Sequence, residues 1–266
     1  MFHIDIILRQ VRRSSNQAVL FVLCIALSMA ALTAFSGFAA SVNTSLRRDA
    51  RKLQGADILI KSYAPISTGL NAVIQRLVAD KAVARARVHE FFSVVRAADK
   101  DASVLASLKV VEPGYPFYGK VELTSGRDFG RVLGPGRCIV AQSLLDRLGL
   151  KVGDSLKVGY TTLSISDVVV SEPDRPVNFF SFGPRVFAAA ADLQAMGLVA
   201  RGSRIRRIVL LKVFDAERID ALAAQLAGNA RTDQEQVDTY LTASSRITRF
   251  LNNFFFFLNH TYYLYD

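Results

Sequence analysis

The sequence predicts an α+β domain that follows an N-terminal transmembrane helix, and three observations lead to this fold class. No Asp, Glu, Lys or Arg occurs between Arg13 and Arg47, a gap long enough for one membrane-spanning helix. After this gap, short β-branched and apolar runs alternate with short helical repeats of apolar residues. Gly, Pro, Asn and Asp separate these runs at short intervals, which favours mixed or antiparallel sheets with short helices, as in an α+β fold.

The N-terminal part predicts two helical segments. Residues 1–17 form an amphipathic helix suited to the membrane interface, with an apolar stripe of Ile4, Ile7, Leu8 and Val11. Residues 18–54 form the transmembrane helix and its extension, since residues 18–42 alone reach about 37 Å at 1.5 Å per residue. A cleaved signal peptide is the alternative, but its apolar core is only about 7–15 residues long. The sequence therefore favours an anchor.

The orientation of this helix follows from what comes after it. Basic residues flank both ends, so the positive-inside rule is nearly balanced. A long domain follows the span, and long domains are translocated largely regardless of charge. We therefore expect the N-terminus to be cytoplasmic and the main domain to lie outside the cytoplasm, on the periplasmic side of the inner (plasma) membrane.

Residues 55–238 predict the main domain. Its expected strands cover 56–61, 82–97, 103–111, 138–141, 155–159, 162–171 and 204–214. Its expected helices begin at a capping Thr68 and cover 68–78, 142–148, 192–196 and 216–226. A boundary between two lobes is expected near 126–136, between Gly126 and Gly136.

Residues 239–266 predict a helix that enters the membrane without completing a second span. Its apolar repeat leads into four consecutive phenylalanines at 254–257, and Asn259, His260 and Thr261 then interrupt it. Four phenylalanine codons form a thymine-rich tract where the reading frame slips easily. The sequence thus predicts a truncated product, a fragment that cannot itself transport.

Composition and motifs argue against an enzyme. There is no phosphate-binding Gly-x-x-x-x-Gly-Lys-Ser/Thr loop and no Gly-x-Ser-x-Gly elbow. The three histidines, His3, His89 and His260, are far apart in the sequence. Carboxylate pairs such as Asp99 with Asp101 and Glu172 with Asp174 are typical of turns. We therefore expect no catalytic residues, no metal site and no cofactor.

The net charge of +10 does not indicate nucleic-acid binding. The basic residues are dispersed, and their densest cluster, at Arg201, Arg204, Arg206 and Arg207, has no nucleic-acid motif around it. The cysteines, Cys24 and Cys138, lie in different segments, so no disulfide is expected.

Six aromatic residues lie in segments rich in Pro and Gly. Clustered aromatic residues on loops commonly mark an interaction surface. The sequence therefore predicts an interaction surface, with the alternative that these side chains cap the core where the lobes meet. The residues are Tyr115, Phe117, Tyr118, Phe179, Phe180 and Phe182.

Four segments together resemble the periplasmic core module of FtsX-like, MacB-type ABC transporter permeases. The resemblance is greatest to the large YbbP-like permeases, which pair with a lipoprotein-release-type ATPase. It extends from residue 4 to about residue 258. The segments are Asp49–Asp57, Pro113–Gly119, Glu172–Arg175 with Phe182–Arg185, and Val237–Tyr240 before Ser245–Phe250.

The resemblance implies a permease module without catalytic residues of its own. Such a module couples the ATP-driven motion of a cytoplasmic ABC ATPase to export or release of lipophilic or lipidated cargo. The implied partners are the lipid bilayer, that ATPase in the full-length protein, and a hydrophobic or lipidated cargo. A single-pass extracytoplasmic sensor or binding protein is the alternative, although only about 17 residues precede the span.

Overall fold

The computed structural model describes residues 15–173, 183–199 and 203–240. The chain divides into two compact units, Met1–Arg48 and Asp49–Asp266. Residues 1–14 of the predicted interfacial helix and residues 241–266 of the predicted C-terminal helix lie outside the described residues, while residues 15–17 belong to the first described helix and residue 239 to the last described strand. Both therefore stay predictions, as does the truncated C-terminus.

The first long helix, α1, covers Ser15–Gln54. Many of its described apolar side chains are exposed, including Leu20, Phe21, Leu23 and Leu27. Among the residues that the structure describes, there is no helix with both the length and the apolar character that crossing a membrane requires. The helix ends as the sequence predicts, because Gly55 has a left-handed φ of +71° and its N–H donates to the Arg51 carbonyl.

Within the second unit, the described strands form one ten-stranded mixed sheet. Their order is β10-β1-β9-β2-β3-β8-β5-β7-β4, with β6 pairing both β2 and β7. The pairs β3–β8 and β5–β7 are parallel, and the other pairs are antiparallel. The strands are β1 (Ile58–Ser62), β2 (Val83–Ala97), β3 (Ser103–Val111), β4 (Glu122–Leu123), β5 (Arg137–Ala141), β6 (Ser155–Val158), β7 (Thr161–Ser171), β8 (Arg185–Ala189), β9 (Arg206–Val213) and β10 (Glu235–Thr239).

Short helices join these strands. They are α2 (Thr68–Ala79), α3 (Phe129–Val132), α4 (Gln142–Leu148) and α5 (Ile219–Gly228), with 3₁₀ turns at Ala190–Asp192 and Ala216–Arg218. The α+β class with short helices on a mixed sheet is therefore confirmed. The apolar periodicity missed β4, α3, β8 and β10, since β4 and α3 have only two and four residues, β8 is a five-residue run, and β10 has few apolar residues.

Two predicted helices need correction. The cap of α2 is Ser67 rather than Thr68, because the Ser67 hydroxyl accepts the Leu70 N–H at 3.4 Å. The helix expected at 192–196 is absent there, and the chain instead makes the 3₁₀ turn at Ala190–Asp192 followed by hydrogen-bonded turns.

Three apolar clusters form the core, and alternation along the strands separates them. The first lies inside the circuit of strands β2, β3, β8, β5, β7 and β6, where Leu108 and Val110 are fully buried. The second covers the opposite face of these strands and takes side chains from the segment between β3 and β5. The third packs helices α2 and α5 against β1 and β9. Residues 126–136 connect β4 to β5 within the second unit, and the division into two lobes stays a prediction.

Candidate functional site

The carboxylate of Asp57 lies just after α1 and is only 1% exposed. Its Oδ2 accepts the backbone N–H of Val213 at 2.9 Å and the hydroxyl of Tyr118 at 2.8 Å. Its Oδ1 lies 3.2 Å from Nε of Arg51, close enough for an ion pair, although neither atom meets hydrogen-bond geometry. One buried charge thus holds the end of α1, β9 and a loop together.

The last described residue, Tyr240, joins the same group. Its backbone N–H donates to the carbonyl of Asp57 at 3.1 Å. The guanidinium of Arg51 lies 4.6 Å from the centre of the Tyr240 ring, within the range of a cation–π contact. We call Arg51, Asp57, Tyr118 and Tyr240 the Asp57 junction. It connects the end of α1 to the end of the last described strand.

The loop that contains Tyr118 packs closely against the end of α1. The backbone N–H groups of Phe117 and Tyr118 both donate to the carbonyl of Gly55, at 3.0 and 3.3 Å. Gly119 has a φ of +79°, and a Cβ there would lie 3.2 Å from the Lys52 carbonyl oxygen. Burial, followed by the hydrogen bond to Asp57 and the charge of Asp57, raises the pKa of Tyr118 to about 12. The hydroxyl therefore stays protonated and donates at physiological pH.

A second buried polar group surrounds Lys109, whose side chain is completely buried on β3. Its Nζ lies 3.5 Å from carboxylate oxygens of both Glu90 and Glu172. Arg185 lies 2.9 Å from Glu172, and Arg206 lies 3.2 Å from Glu90. We call these five residues the Lys109 ion cluster.

The surroundings of Lys109 compensate part of the cost of burying its charge. Its Nζ lies 4.7 Å from the centre of the Tyr115 ring, and the ring's electron-rich face attracts a cation. Arg185 also donates to the hydroxyl of Ser107 at 2.8 Å. Glu172 and Arg185 stand on either side of segment 173–184 and join its two ends. Glu172 is therefore a buried ion-pair residue, which corrects the sequence-based assignment to simple turn chemistry.

Of the six predicted surface aromatic residues, the structure describes three. Tyr115 is buried in the second apolar cluster, so the prediction of an exposed position is wrong for this residue. Phe117 packs against the same cluster and is half-buried, and Tyr118 belongs to the Asp57 junction. Tyr115 and Phe117 thus lie against the core, whereas Tyr118 lies in a polar group. Phe179, Phe180 and Phe182 lie outside the described residues, and the interaction surface as a whole stays a prediction.

The described residues show no group of three His, Cys, Asp or Glu side chains that could hold a metal ion. Burial raises the pKa of the Cys138 thiol to about 12, so this buried cysteine is a poor nucleophile.

Two arginines of the basic cluster at 201–207 have structural contacts: Arg206 pairs with Glu90, and Arg207 donates to the Tyr63 carbonyl at 2.9 Å.

Comparison with known families decides which family the chain represents. Residues 18–229 match the family described as the MacB-like periplasmic core domain. The chain belongs to this family. A 105-residue stretch is also 36% identical to a protein of Escherichia coli (strain K12) described as an uncharacterized ABC transporter permease, YbbP. That match covers 40% of this chain but only 13% of YbbP. The expected membership of the FtsX-like, MacB-type ABC transporter permeases is thus confirmed.

Two solved structures align with this chain at low sequence identity. The periplasmic region of MacB from Actinobacillus actinomycetemcomitans is 13% identical, with a TM-score of 0.49, over 74% of this chain and 95% of that chain. The extracellular domain of the noncanonic ABC-type transporter YknZ from Gram-positive bacteria is 16% identical. Its TM-score is 0.44, over 68% of this chain and 100% of that chain.

The four segments that carry the sequence resemblance come together at two places in the described structure. Three of them, Asp49–Asp57, Pro113–Gly119 and Val237–Tyr240, meet at the Asp57 junction. The remaining one supplies Glu172 and Arg185 to the Lys109 ion cluster. The segments can be recognised in the sequence, but the central positions of Asp57 and Lys109 cannot. The available signal was a lone charged residue next to apolar ones: Asp57 before Ile58, and Lys109 between Leu108 and Val110.

Proposed function

We propose that this chain is the non-catalytic core module of an ABC transporter permease. It couples the ATP-driven motion of a cytoplasmic ATPase to export or release of lipophilic or lipidated cargo. Membership of the MacB-like family supports the permease class. The coupling and the cargo class are our inference.

The observation that carries the proposal is the Asp57 junction. Force that reaches the second unit through α1 arrives at Arg51, and the side chain of Arg51 contacts both Asp57 and Tyr240. Asp57 in turn bonds to Val213 at the end of β9, an interior strand of the sheet. A movement of the end of α1 is therefore transmitted to the sheet and to Tyr240 together, because buried charged contacts resist separation.

The membrane anchor is part of this proposal and rests on the sequence. Residues 18–42 contain no charged residue, and several of their side chains lie outside the described set. We assign this run to the inner membrane, the N-terminus to the cytoplasm, and residues 55–238 to the periplasmic side. Fusions of alkaline phosphatase after Gly153 and after Arg13 test the orientation, since only the first is expected to be active.

A substitution at the junction tests the coupling. In the permease that contains this chain, reconstituted in vesicles with its ATPase, we expect Asp57→Asn to reduce ATP-dependent release of a lipidated probe. ATP hydrolysis should continue, because the substitution weakens transmission and leaves the ATPase untouched. The matched control is Asp220→Asn, which changes an exposed carboxylate on α5 in the same way.

The outcomes separate the candidate functions. Loss of release with retained hydrolysis in Asp57→Asn, but not in Asp220→Asn, supports the coupling role. Equal release by both variants contradicts it. A chain that binds a soluble ligand but never associates with an ATPase indicates the alternative, a single-pass sensor or binding protein.

A further inference from the structure

Strand β2 places three basic residues on one face of the sheet. Arg85, Arg87 and His89 are spaced by two, so their side chains project to the same side. His89 pairs with Arg207 of β9 in the antiparallel register, which adds a fourth basic side chain to this face. Together these four residues line a cavity of about 240 Å³, which we call the arginine pocket.

The described part of the chain leaves donors in this pocket without partners. Nε and Nη1 of Arg85 are buried and make no hydrogen bond, and Nδ1 of His89 is also buried and unbonded. A guanidinium group has only donors, and buried donors are nearly always bonded in folded proteins. Two unpaired buried guanidinium donors therefore indicate a missing acceptor, and Nδ1 of His89 lies unpaired on the same sheet face.

The charges around the pocket also favour an anionic acceptor. The described lining residues include no carboxylate. Glu112 lies beside this group, with its Oε1 4.0 Å from Arg87, whereas the hydrogen bonds of Arg207 to described residues go to the backbone carbonyls of Tyr63 and Ile205. Burial and the charge of Arg207 together lower the pKa of His89, and burial also lowers the pKa of Arg207. The electrostatic potential in the pocket is positive, and a bound anion would reduce the repulsion among its basic side chains.

We propose that the arginine pocket is a binding site for a phosphate group. The guanidinium group of Arg85 offers two unpaired donors, Nε and Nη1, and charge-assisted bonds from such donors to phosphate oxygens are the strong ones. The cavity is smaller than pockets for drug-sized ligands, which favours a single phosphate group over a bulky molecule. Free inorganic phosphate and the headgroup of a phospholipid both offer this chemistry.

Calorimetric titration of the full 266-residue chain in detergent tests the site, with inorganic phosphate as the probe at constant ionic strength. We expect saturable binding at one site, at least about tenfold weaker in Arg85→Gln, because one phosphate-binding fork is lost. The matched control is Arg218→Gln, an exposed arginine outside the pocket, which should bind within about twofold of the parent.

Thermal unfolding separates a binding role from a structural one. Without phosphate, Arg85→Gln should unfold at the same temperature as the parent or a higher one, because it removes a buried unpaired charge. With phosphate, only the parent and Arg218→Gln should gain stability. A lower unfolding temperature of Arg85→Gln without phosphate, together with unchanged phosphate affinity, assigns Arg85 to packing and overturns the proposal.

Titration of His89 by NMR provides a second readout. Bound phosphate should raise the pKa of His89, because the anion offsets the charge of Arg207. An unchanged pKa at saturating phosphate contradicts binding in this pocket.

A lipid arm identifies the source of the phosphate. Dihexanoyl phosphatidic acid, soluble at low concentration, is compared with dihexanoylglycerol, which lacks the phosphate. Arg85-dependent binding that is tighter for phosphatidic acid than for inorganic phosphate, and absent for dihexanoylglycerol, assigns the pocket to a lipid headgroup. Equal Arg85-dependent affinity for phosphatidic acid and inorganic phosphate assigns it to free phosphate. If neither probe binds in an Arg85-dependent manner, the pocket is not a phosphate site.

Discussion

Removing one oxygen atom from Tyr118 tests the Asp57 junction with the smallest possible change. The substitution Tyr118→Phe keeps the ring beside Arg51 and Lys212 but deletes the hydroxyl that donates to Asp57 at 2.8 Å. The carboxylate of Asp57 then keeps the Val213 N–H and the ion pair with Arg51. The measured effect is therefore that of a single hydrogen bond to a buried charge.

The expected loss is about 2 kcal/mol of unfolding free energy, the middle of the range for hydrogen bonds to charged groups. For a domain of roughly 200 residues, this lowers the unfolding temperature by about 4–8 °C. Urea unfolding of the full chain in detergent measures the free energy. Tyr160→Phe is the control, since Tyr160 is 87% exposed and its loss of a hydroxyl should cost under about 0.5 kcal/mol.

The pH dependence gives an independent check of the same bond. In the unfolded chain, a tyrosine loses its proton near pH 10, while folding raises the pKa of Tyr118 to about 12. The folded state then holds the proton more tightly, so the contribution of Tyr118 is complete below pH 10 and is lost as the pH rises towards 12. The difference in stability between the parent and Tyr118→Phe should narrow over that range.

Two results would refute this account of the junction. One is equal stability of Tyr118→Phe and Tyr160→Phe at neutral pH. The other is a difference between the parent and Tyr118→Phe that stays constant from pH 9 to pH 12.

Three further predictions concern other parts of the second unit. Lys109→Met should lower the free energy of unfolding in urea by about 3 kcal/mol, because it leaves the charges of buried carboxylates without their buried cation. Lys157→Met, at an exposed site, should lower it by under about 0.5 kcal/mol. Gly119→Ala should lower the free energy of unfolding by at least about 2 kcal/mol, since the new Cβ would lie 2.8 Å from a proline carbon. Gly126→Ala, where the space around the Cβ is open, should lower it by about 1 kcal/mol. An equal loss of unfolding free energy in a test variant and its control would contradict the stated cause. In the Cys24→Ser variant, which lacks the exposed thiol, Cys138 should resist maleimide at pH 8 until the chain unfolds, and rapid labelling of this folded variant would show that the Cys138 thiol is accessible.

The arrangement of regular elements was largely accessible from the sequence. The alternation in 82–97 and 103–111 predicted β2 and β3 to within one residue, and the apolar repeat after Gln142 predicted α4. These signals are local, since side-chain period and turn residues act over a few positions. Where the local signal is weak, as in the two residues of β4, the prediction failed.

The sequence by itself determined most of the regular elements, the α+β class, the uncharged N-terminal run and the family resemblance. Only the tertiary structure decided which charged residues meet. Asp57 bonds to Tyr118 and to Val213, which stand 61 and 156 positions further along the chain. Alternation along a strand tells which side chains share a face, but not which strand lies opposite or in what register. The Asp57 junction, the Lys109 ion cluster and the arginine pocket all depend on that long-range pairing.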